Sequence, residues 1–381
     1  MRNSFDYAEA EFEDNMEFFD EIEQADLEAS ADGETDEFEY EFESGGEAKQ
    51  VLDPALFHPQ LGYGTPAAEL EYEGEDNEEE LLGKSDSRSP IRNTKKLPYR
   101  WICRLTMTFQ DPAYNGGTPV NFAGTGTLIS PKHILTAGHN VRNRFGGKVL
   151  TARAVTAAPG RDRADLPFGT VTMSGFKAKN EWMNDLNPCF DYALLTLSES
   201  IGTKKFASIG NKALGHWGDF ESGNNTRLEF IDPEKLRKQT VHVAGYPGDK
   251  CGYLAIEKYK RGGICTYRPS GAMSKQLTAC FGAGLHASAQ FGDKGKMIDP
   301  LPSGGGAHIF IYDADTCKGH SGSPVWVQNG SLRYLIGIHT GPYSKAKGSC
   351  ADVVPTGSSA DANRAVRVTT NMLDNLRKWM A

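Results

Sequence analysis

From about Leu97 onward, apolar residues gather in short runs rich in β-branched and aromatic side chains, with Gly, Pro, Asn and Asp between them. The runs are WICRLTMTF (101–109), GTGTLIS (124–130), HILTA (133–137), YALLTL (192–197), TVHVAGYP (240–247), HIFIYDA (308–314), SPVWVQ (323–328) and YLIGIHT (334–340). Runs this short, bounded by turn residues and lacking a sustained helical period, predict an all-β barrel or sandwich protein. The end of the chain differs. Met372, Leu373, Leu376, Trp379 and Met380 share one helical face, which predicts a C-terminal amphipathic helix with Thr370 as its N-cap. No internal repeat is strong enough to use.

Residues 1–80 have another texture. They hold 28 of the chain's 50 acidic residues and only two of its 41 basic ones, Arg2 and Lys49. The remaining 301 residues therefore carry 39 basic against 22 acidic groups, so an acidic arm is joined to a basic body that attracts it. Self-repulsion and a shortage of apolar area predict a largely disordered arm over 1–80. Phe38 to Glu43 alternate aromatic and acidic residues, a pattern compatible with a strand on a partner. The arm reads as a pro-region, a solubilising tail or a targeting signal.

Charge and composition also exclude function classes. The basic residues of the body are scattered, with no pattern of a nucleic-acid-binding module, so no nucleic-acid partner is expected. No apolar run approaches membrane-spanning length, and no membrane partner is expected. Seven cysteines (103, 189, 251, 265, 280, 317 and 350) suit an oxidising compartment, and their odd number leaves at least one unpaired within the chain. The first residues show no ordinary signal peptide. The expected location is extracellular by cysteine usage, by an export route the sequence does not show. The familiar zinc spacings and a calcium-loop pattern are absent, so no metal or other cofactor is expected.

Three segments carry chemistry, in the order His, Asp, Ser. Strand-like GTGTLIS and HILTA lead to His139, Asp191 opens the apolar run YALLTL, and Ser321 sits in a Gly-rich turn before SPVWVQ. A serine hydroxyl needs a neighbouring base to become a nucleophile, and histidine titrates near working pH. An aspartate behind the imidazole fixes its tautomer and stabilises the cation that forms. The backbone amides of Gly319 and Ser321 can face a developing oxyanion, because glycines permit the tight path this requires. Each signal alone is ordinary; the three in order, within an all-β chain, are not. Ser323 stands where an α/β-hydrolase elbow needs glycine, and no cysteine is marked as activated by a histidine.

TAGH (136–139), DYALL (191–195) and GHSGSP (319–324) resemble the His, Asp and Ser motifs of chymotrypsin-like serine proteases. VAGYPGDK (243–250), GHSGSPVW (319–326) and GIHTGP (337–342) resemble, in order, the glutamyl endopeptidase branch of that family, and the tail from Asn363 resembles the C-terminal helix of its bacillary members. The resemblance spans roughly 81–250 and 307–381. It implies two antiparallel β-barrels with the active site between them, and a substrate pocket for the carboxylate of the cleaved residue built from Thr316, His339 and the α-amino group of a mature N-terminus. The stretch from Leu81 to Arg88 resembles the start of such mature chains, and Glu78-Glu79-Glu80 precede it. Cleavage after Glu80 would free the Leu81 amine and detach the arm at the point where the charge reverses. His320, in place of an acidic residue before the nucleophile, rules out a trypsin-type activation switch. The resemblance also implies a Cys317–Cys350 disulfide.

The expected organisation is thus an acidic segment 1–80 and a protease domain 81–381. Residues 251–306 read as an insertion within that domain: a disulfide-pinned surface loop, a lid over the cleft or a partner-binding surface. The expected activity is a monomeric serine endopeptidase acting on protein or peptide substrates after Glu, with Asp a second choice, and with its own arm as a further partner. Two other readings remain: a protease of different specificity, and a protease-fold effector or binding protein addressed by its arm.

Overall fold

The computed structural model describes residues 37–41 and 86–381, apart from 113, 146, 220–224, 238, 249, 252–253, 256–287, 300–307 and 344–361. Twelve strands form its frame. The first six are β1 (Ile102–Phe109), β2 (Val120–Leu128), β3 (His133–Thr136), β4 (Lys148–Pro159), β5 (Val171–Lys179) and β6 (Ala193–Leu197). The second six are β7 (Thr240–Gly245), β8 (Phe291–Asp299), β9 (Ile309–Tyr312), β10 (Pro324–Asn329), β11 (Leu332–Tyr343) and β12 (Ala362–Arg367).

Each set closes on itself. The first runs β1-β2-β3-β6-β5-β4 and returns to β1; the second runs β7-β8-β9-β12-β11-β10 and returns to β7, with antiparallel pairing throughout. The two antiparallel barrels expected from the resemblance are present, and both halves use one strand order although no repeat is visible in the sequence. Alternation explains β1, where buried residues recur at every second position from Cys103 to Phe109. Leu105, Phe109, Ile134, Leu135, Phe176 and Leu195 fill the first barrel. Val241, Val243, Phe310, Tyr312, Val325 and Ala365 fill the second.

Two short helices matter here, α1 (Asn180–Asp185), which leaves β5, and α2 (Thr370–Met380), which ends the chain. Met372, Leu373, Leu376 and Trp379 of α2 are buried, as their spacing requires. The helix crosses back to the first barrel: the Trp379 ring lies 5.7 Å from Tyr192, and Asn375 Nδ2 donates to the Tyr192 hydroxyl at 2.9 Å. Its N-cap corrects the expectation. Thr369, not Thr370, accepts from the Met372 amide, at 3.1 Å, because Thr369 holds the extended backbone a cap requires.

Two other expectations shift. The supposed insertion over 251–306 contains β8, a full barrel strand; FGDKGKMID, with two glycines and its buried Phe291 and Met297 set far apart among charges, hides its pattern. Within the acidic arm, Glu37–Glu41 form a strand antiparallel to β5, continuing the edge that β4 leaves after pairing Thr172. The register sets Glu37 opposite Lys179 and Glu39 opposite Lys177.

Replacing the true cap separates the two threonines. Thr369→Ala should cost about 1 kcal/mol of unfolding free energy and Thr370→Ala only a few tenths, measured by urea denaturation.

Candidate active site

Pairing at the ends of β3 and β6 brings His139 to Asp191. Thr136, the last residue of β3, stands abreast of Ala193, the first of β6. The turn after β3 then carries His139, and the turn before β6 carries Asp191. The His139 amide donates to Asp191 Oδ1 at 2.8 Å, and the ring Nδ1 lies 2.8 Å from Oδ2. An ionised carboxylate only accepts, so Nδ1 bears the proton and Nε2 is left basic. Both residues are buried. Trp182 of α1 stands edge-on to the His139 ring at 6.4 Å. It also explains Gly138, where a Cβ would sit 2.7 Å from the indole Nε1.

The turn bearing Ser321 belongs to the second barrel but is held by the first. Gly319 and Gly322 adopt φ of 99° and 85°, values open to glycine. The Gly322 amide donates to the His339 carbonyl at 2.8 Å and the Ser323 amide to the His320 carbonyl at 2.7 Å. The amide of Gly319 has no partner among the described residues. Across the barrel boundary, the Thr125 amide of β2 donates to the Ser321 carbonyl at 2.9 Å, and Asn140 Nδ2 donates to the same oxygen at 2.9 Å. Thr125 Oγ1 adds a bond to the Gly319 carbonyl at 2.7 Å. A Cβ on Gly322 would strike the Thr125 carbonyl. Neither Thr125 nor Asn140 stood out in the sequence, although Asn140 directly follows His139.

Thr316 and His339, the expected pocket residues, are fully buried on this side of the second barrel. The Thr316 hydroxyl has no hydrogen-bond partner among the described residues. His339 Nδ1 lies 2.7 Å from the Tyr312 hydroxyl, an orienting contact sequence reasoning missed. Leu81 and residues 82–85 fall outside the described residues, and the chain is described from Asp86 onward. The Ser87 amide donates to Asp315 Oδ2 at 2.8 Å, next to Thr316 in the chain. Arg88 pairs with Asp86 at 2.9 Å and Lys250 with Asp86 at 2.7 Å. Burial alone would raise the Asp86 carboxyl, but Arg88 and Lys250 hold it well below the usual carboxylate range.

His320 is buried behind the turn, with Nδ1 3.0 Å from the Cys317 amide nitrogen. Burial, then the nearby Arg88 charge and His339, push its pKa well below the ordinary value. Cys189 and Cys317 are half-cystines, and Cys103 is a buried free thiol. Cys350, the partner expected for Cys317, lies outside the described residues. Among the described residues no group of three His, Cys, Asp or Glu side chains could hold a metal ion.

No family model matches the chain. It is 24% identical over 298 residues to a glutamyl endopeptidase of Bacillus licheniformis, covering 77% of this chain and 67% of that protein. It is 23% identical over 295 residues to a Bacillus subtilis protein named extracellular metalloprotease, covering 77% and 68%. Among solved structures, a Glu endopeptidase in complex with MPD has 21% identity and a TM-score of 0.48, over 78% of this chain and 98% of that one. The protease Anisep from Arthrobacter nicotinovorans has 14% identity and a TM-score of 0.44, over 80% and 100%.

The geometry sets up two measurements. His320 has a folded pKa below its unfolded value near 6.5, so its stabilising share is complete above that pH and is lost as pH falls through it. Urea titrations between pH 7.5 and 5.5 should show stability falling by up to about 1.4 kcal/mol per pH unit from this group, with a flatter slope in His320→Gln. Asn140→Leu, which keeps the volume but removes the donor to Ser321, should cost about 1–3 kcal/mol by the same assay at pH 7.5.

Proposed function

We propose that this chain, a serine endopeptidase of the chymotrypsin-like fold, cuts polypeptides after glutamate, and that it is made with residues 1–80 as a removable pro-region. The observation that carries the reading is the buried His139–Asp191 pair, doubly hydrogen-bonded, beside a glycine-framed Ser321 turn tied to the same barrel.

In this reading His139 Nε2 takes the proton of Ser321 Oγ as that oxygen attacks the substrate carbonyl. With both its oxygens on His139, Asp191 holds the ring and stabilises the imidazolium that forms. The amides of Gly319 and Ser321 receive the oxyanion of the tetrahedral intermediate. His139 then gives its proton to the leaving amine. Water, deprotonated by the same ring, releases the acyl group from Ser321 and restores the hydroxyl.

Glutamate selection rests on Thr316 and His339. A threonine hydroxyl without an internal partner and an imidazole held by Tyr312 offer polar contacts in a water-poor wall, which suits a carboxylate. The third contributor would be the Leu81 amine. Ser87 is fixed beside Asp315, and the six residues back to Leu81 span at most about 20 Å, so a freed terminus stays within reach of the pocket. The relative named a glutamyl endopeptidase supports the preference, and the one named extracellular supports a location outside the cell.

Mass spectrometry tests the whole reading. The protein is incubated at about pH 7.5 with a mixture of peptides containing Glu, Asp and Lys, beside Ser321→Ala. Cuts after Glu and a new N-terminus at Leu81, in the wild type alone, are expected. Cuts after other residues would overturn the pocket assignment. No cutting by folded protein already freed of its arm would overturn the enzyme.

A further inference from the structure

Outside this machinery, one cation among the described residues stands without an answering group next to the triad. Arg364 lies on β12 between Ile311 of β9 and Gly341 of β11. Its Nε is fully enclosed, and among the described residues the guanidinium has no hydrogen-bond or ion-pair partner. The carboxylate whose charge it feels is Asp191, and both oxygens of Asp191 are already engaged by His139. Asp191, in the first barrel, is thus close enough for its charge to act on Arg364 from across the barrel boundary.

The surroundings explain why it stays unanswered. His339 pairs with Ala365, and Gly341 pairs with Arg364, with a bulge between them at Thr340. Arg364 is thus the next step along the sheet from the pocket wall at His339. Its neighbour Gly341 has no side chain to cover it and holds φ at 130°. A guanidinium keeps its charge at any working pH, so it cannot escape by deprotonation as a lysine could. A half-buried cation with an enclosed, unused Nε donor is costly until an anion meets it, and none of the protein's described carboxylates does so.

We propose that Arg364 forms a second anion subsite, which takes the carboxylate side chain of a substrate residue preceding the cleaved glutamate. The proposal rests on the reading of Ser321 as the nucleophile and of Thr316 and His339 as the pocket for the cleaved residue. It gives the chain's own sequence a further meaning. Glu78 and Glu79 stand before Glu80, so the segment to be cut during maturation offers an acid at both preceding positions. Substrates of this enzyme are accordingly acidic stretches rather than isolated glutamates.

The test uses four peptides that share glutamate at the cleaved position and carry Glu or Gln at each of the two positions before it. Protein expressed as the full chain and allowed to process itself is compared with Arg364→Leu and Arg364→Lys. For wild type, kcat/KM should favour Glu over Gln at one of these positions by about tenfold, the size expected of a partly desolvated charge pair. Arg364→Leu should bring that ratio close to one, and Arg364→Lys should keep part of it. The ratio is the readout, whatever each variant does to the rate common to all four peptides. A ratio unchanged in Arg364→Leu overturns the subsite. So does an equal fall for all four peptides with the ratio preserved, which would make Arg364 a counter-ion of Asp191. Labelling of Ser321 by a fluorophosphonate, run on each preparation, separates these failures from the deeper one. Labelled protein with no Glu preference sinks only the subsite, while a wild type that is folded and unlabelled sinks the serine reading and the subsite with it.

Discussion

The arrangement depends on one carbonyl oxygen, that of Ser321, which receives two donors from the opposite barrel. Thr125 gives its amide and Asn140 its side-chain nitrogen. Thr125 also binds the Gly319 carbonyl and accepts from the Tyr246 amide at 3.0 Å, so a single β2 residue touches the serine turn and the strand end beside it. Asn140 follows His139 directly in the chain. The base and the nucleophile come from separate closed sheets, yet their spacing is set by bonds between adjacent residues. Positioning of this accuracy is what converts ordinary side chains into a reactive set.

A second layer of buried polar groups supports that spacing. Gln290 Nε2 reaches the Tyr246 hydroxyl at 2.8 Å and the Tyr99 carbonyl at 2.9 Å, joining β8's leading edge to the first barrel. Behind the serine turn, the neutral His320 and the Asp86–Arg88–Lys250 cluster fill a region where unpaired charge would be costly. Of these groups, Asp86 and Arg88 lie just downstream of the candidate maturation point. Order in the segment 86–90, which pairs with β8 through Ser89 and Pro90, and order in the turn are therefore parts of one network.

Much of this was legible before the fold was known. Strands such as β1 announce themselves by alternation, and the His, Asp and Ser segments by their order. What was hidden has physical reasons. β8 is specified by its neighbours rather than by its own composition, since Gly292 and Gly295 fit where strands and side chains crowd closely. The cap moved by one residue because two threonines in succession offer the same chemistry, and only backbone angle chooses between them. Thr125, Asn140, Tyr312 and Arg364 are common residue types on strands and turns. Their importance comes from what lies across a sheet or a barrel boundary, which a linear pattern cannot express.

Closed sheets have no edges, and here each barrel closes with a single strand order used twice. One open stretch lies at the far end of β5, where β4 has already turned away and Gly175–Lys179 pair instead with Glu37–Glu41. Any event that removes the arm bares a short row of backbone donors and acceptors, the kind of surface on which chains stack into aggregates. Lys177 and Lys179 mark that row with like charge in every copy. The residues that match the arm while it is attached thus become, once it is gone, the repulsion that keeps one molecule's edge from another's.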